Sequence, residues 1–375
     1  MIGIDPLQAV IRSRSPVRIS FAGGGTDVSP FPETYGGAVV NATIATFMTA
    51  ALRLRADRRV VLRTNHRADP VVYESPHQMA FDGRLDFVKP IVAAMYRRDC
   101  GFELELHASV PVRSGLGGSG AMCVTVLAAF NHLAGRPLGT AELAELAYHV
   151  ETDVLGNASG RQDQYAACFG GFNFFEFNGR SRVRVEPLTL DEPRLARLAD
   201  SLVLLWLGQR PSDSGGIIEE QTRGVIEGGP ALTAMHQTRR HVRAMRDALE
   251  APDVRAVGSL LDALWREKKQ FSRSITSPRI DRIYDALRSA GMIGGKITGA
   301  GGGGHLLACC DQRDRPAVIA AAVAQGVQAV PFAFHIGGVS VWEEPLEAPG
   351  RQDLGQYAPV AQPAPAAGGL RPVQK

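Results

Sequence analysis

Apolar and polar positions change their spacing several times along this chain, and each change marks an element. Residues 16–22, 38–54 and 59–64 are rich in β-branched residues and partly alternate, which predicts strands. Residues 85–98 carry apolar side chains at helical spacing, with Pro90 as an expected kink. Residues 102–110 alternate as a strand and run directly into a glycine-rich segment at 111–121. The apolar stretch after it predicts a buried helix ending at Gly135. Thr140, with Glu142 and Glu145, opens another.

The character changes near residue 190. Residues 202–208 predict a buried strand, and helices are expected near 230–250, 253–271 and 278–290. A second long glycine-rich segment fills 291–304. It precedes a strand at 305–310, a helix near 314–325 and closing strands between 328 and 344. Strands come first, helices with strands later, and no βα unit repeats. That order predicts an α+β fold. Residues 1–13 read as a loose leader. Residues 346–375, rich in Pro, Ala, Gly and Gln, read as a disordered tail.

Composition narrows the classes. Hydrophobic residues make up 45% and charged residues 21%, enough apolar material for a substantial core. The net charge is +3, which gives no case for a nucleic-acid or anionic-membrane partner. No apolar run reaches the length of a membrane span or a signal peptide. The five cysteines form no CxxC pair and no zinc-ligand spacing. Sparse thiols suit a reducing compartment, so the cytoplasm is the expected location. Oligomeric state is left open, a homodimer included.

Four segments carry candidate chemistry. In the first, PVRISFAGGGTD (16–27), a strand meets Gly23, Gly24 and Gly25, then Thr26 and Asp27. Asp27 either accepts hydrogen bonds from sugar hydroxyls or caps the next element. The second is PVRSGLGGSGA (111–121), between a predicted strand and a predicted helix. Gly115, Gly117, Gly118 and Gly120 let backbone N–H groups converge on one anion at the helix N-terminus. No Lys follows the glycines, so this is not the P-loop. The third, Gly294 to Gly304, must pass close to a ligand or to another backbone. The fourth is acidic. Glu151 lies late in a predicted helix, where negative charge is unfavourable unless a cation compensates it. Asp163 follows Ser159, Gly160 and Arg161. Phosphoryl transfer needs one group to orient the attacking hydroxyl and cations to bridge phosphate oxygens, and these two acids could serve.

Together and in this order, the segments resemble the GHMP kinases, the superfamily of galactokinase, homoserine kinase and mevalonate kinase. The resemblance covers about residues 14–345. It implies a two-lobed fold, with the N-terminal lobe at 14–190, the C-terminal lobe at 191–345 and the active site in the cleft between them. It implies ATP and magnesium. Arg113, Ser114, Gly115, Leu116, Gly117, Gly118, Ser119 and Gly120 match the loop around the ATP phosphates. Ser119 and Glu151 match the magnesium contacts, and Asp163 the proposed base. Arg18 matches the catalytic arginine. Gly24, Gly25, Thr26 and Asp27 match the sugar-binding turn, and Gly301 and Gly302 belong to the loop that shapes the site. Two departures stand out. Gly118 replaces the first serine of the usual pair, and Gly24 and Gly25 replace the Glu-His of galactokinase.

Segments 160–177, 208–221 and 294–307 narrow the resemblance to sugar 1-kinases acting on D-glycero-D-manno-heptose 7-phosphate, which supply heptose for surface polysaccharide. L-fucose kinase is the competing branch. A sugar phosphate needs cationic partners, and Arg113, Arg210, Lys268 and Lys269 are candidates. For the two lysines a solvated surface charge is the better reading. A catalytically silent binding protein on the same fold would lack the metal or base carboxylate, and Glu151 and Asp163 are both present.

Overall fold

The computed structural model describes residues 9–346 except 136–137, 181, 212–213 and 252. The first part of the chain forms β1 (Ala9–Ala22), α1 (Phe31–Tyr35), β2 (Gly37–Leu54), β3 (Val60–Thr64), β4 (Val71–Tyr73), α2 (Val88–Met95) and β5 (Phe102–Ala108). It continues through α3 (Gly118–Ala134), α4 (Thr140–His149), α5 (Gln162–Phe169), β6 (Phe172–Asn178) and β7 (Arg182–Leu188). These strands build one mixed sheet, ordered β4-β3-β5-β2-β1, and β6 and β7 extend it from the first half of β2. Only the β3–β5 pairing is parallel.

The second part forms α6 (Glu192–Ser201), β8 (Leu202–Trp206), α7 (Gly215–Glu227), α8 (Pro230–Glu250), α9 (Val254–Lys268) and α10 (Pro278–Ser289). It ends with β9 (Met292–Ile297), β10 (His305–Cys310), α11 (Arg315–Ala324), β11 (Gln328–Val330) and β12 (Ser340–Pro345). A four-stranded antiparallel sheet runs β11-β8-β10-β9. No helix is long and apolar enough to cross a membrane among the described residues.

Three expectations change. Residues 9–13 are not a loose leader. They are the start of β1, buried at alternate positions and paired with β12 and β2. β12 accordingly lies in the first sheet although it is the last element described, so the second lobe does not keep the whole stretch to 345. Pro90 makes no kink, because it sits in the first turn of α2, where its missing N–H has no intrahelical partner to lose. The tail expected at 346–375 lies outside the described residues from 347 onward.

Two hydrophobic clusters form the core, and α9 belongs to both. Its Leu261 and Leu264 pack in the cluster under the large sheet, while Trp265 packs in that of the small one. Phe31 of α1 is also buried in the second cluster. The next turn of α9 brings Lys268 into the seam between the halves.

Local packing holds the site elements in register. Ser15 Oγ donates to the Ala121 carbonyl at 2.7 Å, and Ser13 Oγ to that of Thr125 at 2.8 Å, fixing α3 on β1. β6 buries Phe172, Phe174, Phe175 and Phe177 on its two faces, each worth about 2 kcal/mol of apolar burial. Tyr165 of α5 meets Phe175 and Phe177 edge-on, with centroids 5.9 and 6.1 Å apart, which seats α5 against the sheet. The turn after β1 requires glycine. Gly23 has φ +86°, and a Cβ there would stand 1.9 Å from the Ala38 carbonyl oxygen. Gly23→Ala should therefore cost at least about 2 kcal/mol, read as a lowered urea midpoint. An unchanged midpoint would contradict this turn.

Candidate active site

Arg18 is where the first segment meets the second and the fourth. It lies on β1 between two register shifts, at Pro16/Val17 and Ser20/Ala22, and such bulges re-aim the residues they flank. Its side chain is 3% exposed. Nε and Nη2 donate to Asp163 Oδ1 at 2.9 and 2.5 Å, and Nη1 donates to the Gly115 carbonyl at 2.7 Å. Its backbone N–H donates to the Leu116 carbonyl at 3.0 Å. One residue thus holds both the glycine loop and the acid of α5.

Asp163 lies in the first turn of α5. A Cβ on Gly117 would stand 3.1 Å from its carboxyl carbon, and one on Gly120 would stand 2.8 Å from its Cβ. The loop can approach this acid only because those positions carry no side chain. Gly117 takes the left-handed conformation at the N-cap of α3, and the first N–H groups of α3 have no intrahelical partner. Gly118, the departure from the usual serine, packs against Met48. A Cβ there would meet the Met48 methyl at 2.8 Å.

Glu151 lies on a π-helical turn, Val150–Val154, that continues α4. It is buried, and Gln164 Nε2 donates to its Oε2. Burial and the negative charge of Asp163 push its pKa up to about 7, although hydrogen bonds from Ser119, Gln164 and Ser159 pull the other way. A buried carboxylate beside a second carboxylate and an exposed serine hydroxyl fits a hard cation. No cluster of three or more His, Cys, Asp or Glu able to hold a metal occurs among the described residues. That donor set suits magnesium, which keeps most of its ligands as water and phosphate oxygens.

The third segment meets backbone. A Cβ on Gly299 would stand 2.8 Å from Gly115 Cα, and one on Gly304 would stand 2.4 Å from the Ser114 carbonyl oxygen. His305 donates its backbone N–H to that same oxygen at 3.0 Å. Gly301 and Gly302 meet a different neighbour. They pack on the turn Arg273–Ile275, and the Gly302 N–H donates to the Ile275 carbonyl at 2.8 Å. Ser114 serves by its carbonyl. Arg113 is exposed and donates to the Pro211 carbonyl at 3.2 Å.

Thr26 and Asp27 are also reassigned by the geometry. The Thr26 hydroxyl is buried and spends its hydrogen bonds on Gly23, Ala38 O and Ala38 N. Asp27 is fully buried. Its Oδ1 accepts from Gly25 N and Gln162 Nε2, at 3.0 and 3.2 Å, and its Oδ2 from Gln162 N at 3.1 Å. Burial raises its pKa. Both residues brace the turn and the N-terminus of α5 and offer little to a sugar. Gly24 faces Ser20 Oγ and the Gln162 amide, each 3.4 Å from where its Cβ would be. Ser20 Oγ and Gln162 Oε1 are buried polar atoms without a partner in the protein, and the sequence carried no signal for either.

Four buried cations gather around this centre. Besides Arg18 they are Arg210, Lys268 and Lys296. The surface reading of Lys268 is overturned, since it is 5% exposed and donates to the Gly299 carbonyl. Lys269 is part-exposed and reaches Asp281 at 3.4 Å. Lys296 Nζ donates to the Ser20 carbonyl at 2.7 Å. Burial, with Arg18 and Arg210 nearby, lowers the pKa of Lys268 to about 8.

This loop, acid and arginine on a two-sheet α+β frame define a phosphoryl-transfer enzyme of the GHMP class. The chain matches the GHMP kinases N terminal domain over residues 86–171 and the GHMP kinases C terminal domain over 245–328. It belongs to the GHMP kinases. It is 34% identical to the D-glycero-alpha-D-manno-heptose 7-phosphate kinase of Campylobacter jejuni, over 88% of this chain and 98% of that one. A crystal structure of a D-glycero-D-manno-heptose 1-phosphate kinase from Bacteriodes thetaiotaomicron is 29% identical, with a TM-score of 0.74 over 88% of this chain and 98% of the other. The L-fucokinase/L-fucose-1-P guanylyltransferase of Bacteroides fragilis is 25% identical over 79% of this chain and 34% of its own.

The raised pKa of Glu151 has a consequence for stability. Between 4.5, its ordinary value, and about 7, the native state holds a proton that the unfolded chain has lost. Glu151 therefore costs stability as pH rises through that window, and the cost stays above it. Without nucleotide or metal, Glu151→Gln should be about 2 kcal/mol more stable than wild type at pH 8, with the gain gone near pH 4.5. Thermal unfolding at the two pH values checks this, and an equal shift at both contradicts it.

Proposed function

We propose that this protein is a magnesium-dependent sugar kinase that transfers the γ-phosphoryl of ATP to the anomeric hydroxyl of D-glycero-D-manno-heptose 7-phosphate, giving the 1,7-bisphosphate. The observation that carries the reading is the Arg18–Asp163 pair set directly against the glycine loop. A kinase needs its acceptor-orienting acid within reach of the nucleotide phosphates, and this arrangement supplies that.

In this reading the N–H groups at the start of α3 and the glycines of 115–120 bind the ATP phosphates. Ser119 and Glu151 would hold magnesium, which when bound offsets phosphate charge. Asp163 accepts a hydrogen bond from the anomeric hydroxyl and takes its proton as the phosphoryl group moves. An anomeric hydroxyl is more acidic than an ordinary alcohol, so a weak base suffices. Arg18 orients Asp163 through two hydrogen bonds and faces the charge that develops on the transferred group. The Ser20 hydroxyl and the Gln162 amide beside Gly24 are polar groups that suit sugar hydroxyls. The relatives support the heptose phosphate over fucose, since the heptose 7-phosphate kinase matches at higher identity and over most of its own length.

Asp163→Ala should cut turnover by at least about 100-fold while leaving ATP affinity unchanged. Near-normal turnover would remove the base assignment. Heptose 7-phosphate, L-fucose and galactose offered with magnesium-ATP should give turnover chiefly with the first, and phosphorus NMR should place the new phosphate on the anomeric carbon. Faster turnover of fucose would move the enzyme to the competing branch.

A further inference from the structure

The chemistry above uses one of the four buried cations. Lys296 is engaged by the Ser20 carbonyl behind β1. Lys268, like Lys296, is held by a neutral carbonyl, but its partner Gly299 packs on the glycine loop at Gly115. No ion pair with a carboxylate includes Lys268 among the described residues. A buried ammonium without a carboxylate partner is costly, and an anionic ligand would offset that cost.

Its position says which anion. Gly299 packs on Gly115, so Lys268 sits one residue contact from the loop that Arg18 grips. The charges it senses are those of Arg18, Asp27, Arg210 and Asp163. Lys268 therefore stands near Arg18, Asp163 and the turn that carries Asp27. Arg210, in the segment after β8, closes the same loop from another direction. Its Cα is 3.2 Å from where a Gly303 Cβ would stand, and its Cδ is 3.6 Å from that of Gly302. Arg210 is itself nine-tenths buried. Two cations from separate elements thus converge on one glycine loop, too close to the reacting centre to serve solubility.

We infer that Lys268 and Arg210 form the cradle for the phosphate monoester that the acceptor sugar already carries, and so set the preference for a sugar phosphate over a free sugar. The inference rests on the sugar-phosphate reading above. Lys268 supplies a point charge and Arg210 a planar fork, a pairing suited to a phosphate dianion. The alternative source of phosphate is the group in transfer from ATP, and the two sources predict different kinetics.

The test compares Lys268→Gln with wild type on heptose 7-phosphate and on the same heptose without its phosphate. Gln keeps a donor for the Gly299 carbonyl, and unchanged magnesium-ATP binding verifies the fold. The cradle predicts that kcat/KM for the phosphorylated sugar falls about 100-fold, mostly through KM, while that for the free sugar changes by less than about threefold. Lys268→Arg, which keeps the charge, should recover much of the loss. Equal losses on both sugars would assign Lys268 to the transferred phosphoryl group and overturn the proposal, as would no loss on either. If Lys268→Gln does not fold, Arg210→Gln gives the same readout from the other side of the cradle. A wild-type enzyme that uses the free heptose as well as its phosphate would sink the sugar-phosphate reading itself, separately from the behaviour of the variants.

Discussion

The contact between the Arg18 guanidinium and the Asp163 carboxylate is what the rest of the site depends on. The two residues are 145 positions apart, on a strand and on a helix, and the same guanidinium also binds the Gly115 carbonyl. Three elements are therefore indexed to one planar group. A pair this buried adds little net stability, because the desolvation cost offsets much of the attraction. Its value is geometric. A fork with fixed donor directions can satisfy Asp163 and Gly115 together only when strand, loop and helix stand in one arrangement.

The packing around the pair serves the same end. The Ser13 and Ser15 hydroxyls fasten α3 to β1, Asp27 fastens the N-terminus of α5 to the turn after β1, and aromatic rings fasten α5 to β6. Each anchor is a buried polar or aromatic contact with a defined direction, so the loop and the acid share a rigid mount. Onto this mount the protein loads charges that oppose one another. Glu151 is pushed toward neutrality by burial and by Asp163, while Lys268 and Lys296 are pushed the same way by burial and by the other cations. Folding gains nothing from such an arrangement. Phosphates and a divalent cation would relieve it, which is why the conflict marks the site as built for ligands.

How much of this could be read from the residues alone depends on how local each signal is. The glycine segments and Asp163 were legible because loop chemistry needs particular residues at short spacing, whereas Arg18 came from the family resemblance alone. Strands with one buried face were legible by alternation. β6 was not, because both its faces are buried and the alternation of its phenylalanines with Asn173 and Glu176 breaks phase at Phe174–Phe175. The start of β1 was missed because its partner, β12, lies more than 300 residues away and supplies the pairing that a leader would lack. Lys268 read as a surface residue because Lys is rarely buried. Only the tertiary fold, with α9 wedged between two cores, carries it inward. Thr26 and Asp27 had a sugar-binding pattern, yet the fold spends their oxygens on its own backbone and on Gln162.

The division of labour between the halves follows from the seam. Gly299 and Gly304 meet Gly115 and Ser114 backbone to backbone, where a Cβ would collide. The second half therefore braces the nucleotide loop through backbone and through the His305 ring nitrogen on the Ser114 carbonyl. Its cleft-facing side chains come instead from Arg210, from Gln221, which reaches the Gly25 carbonyl, and from Lys268. In the proposed reading, the groups that perform phosphoryl transfer all come from residues 18–163, and any hydroxyl acceptor could use them. If Lys268 and Arg210 hold the acceptor's phosphate as inferred, that part of acceptor recognition is written in the second half. Selection can change there without disturbing the Arg18–Asp163 geometry, because no residue of the second half takes part in that contact.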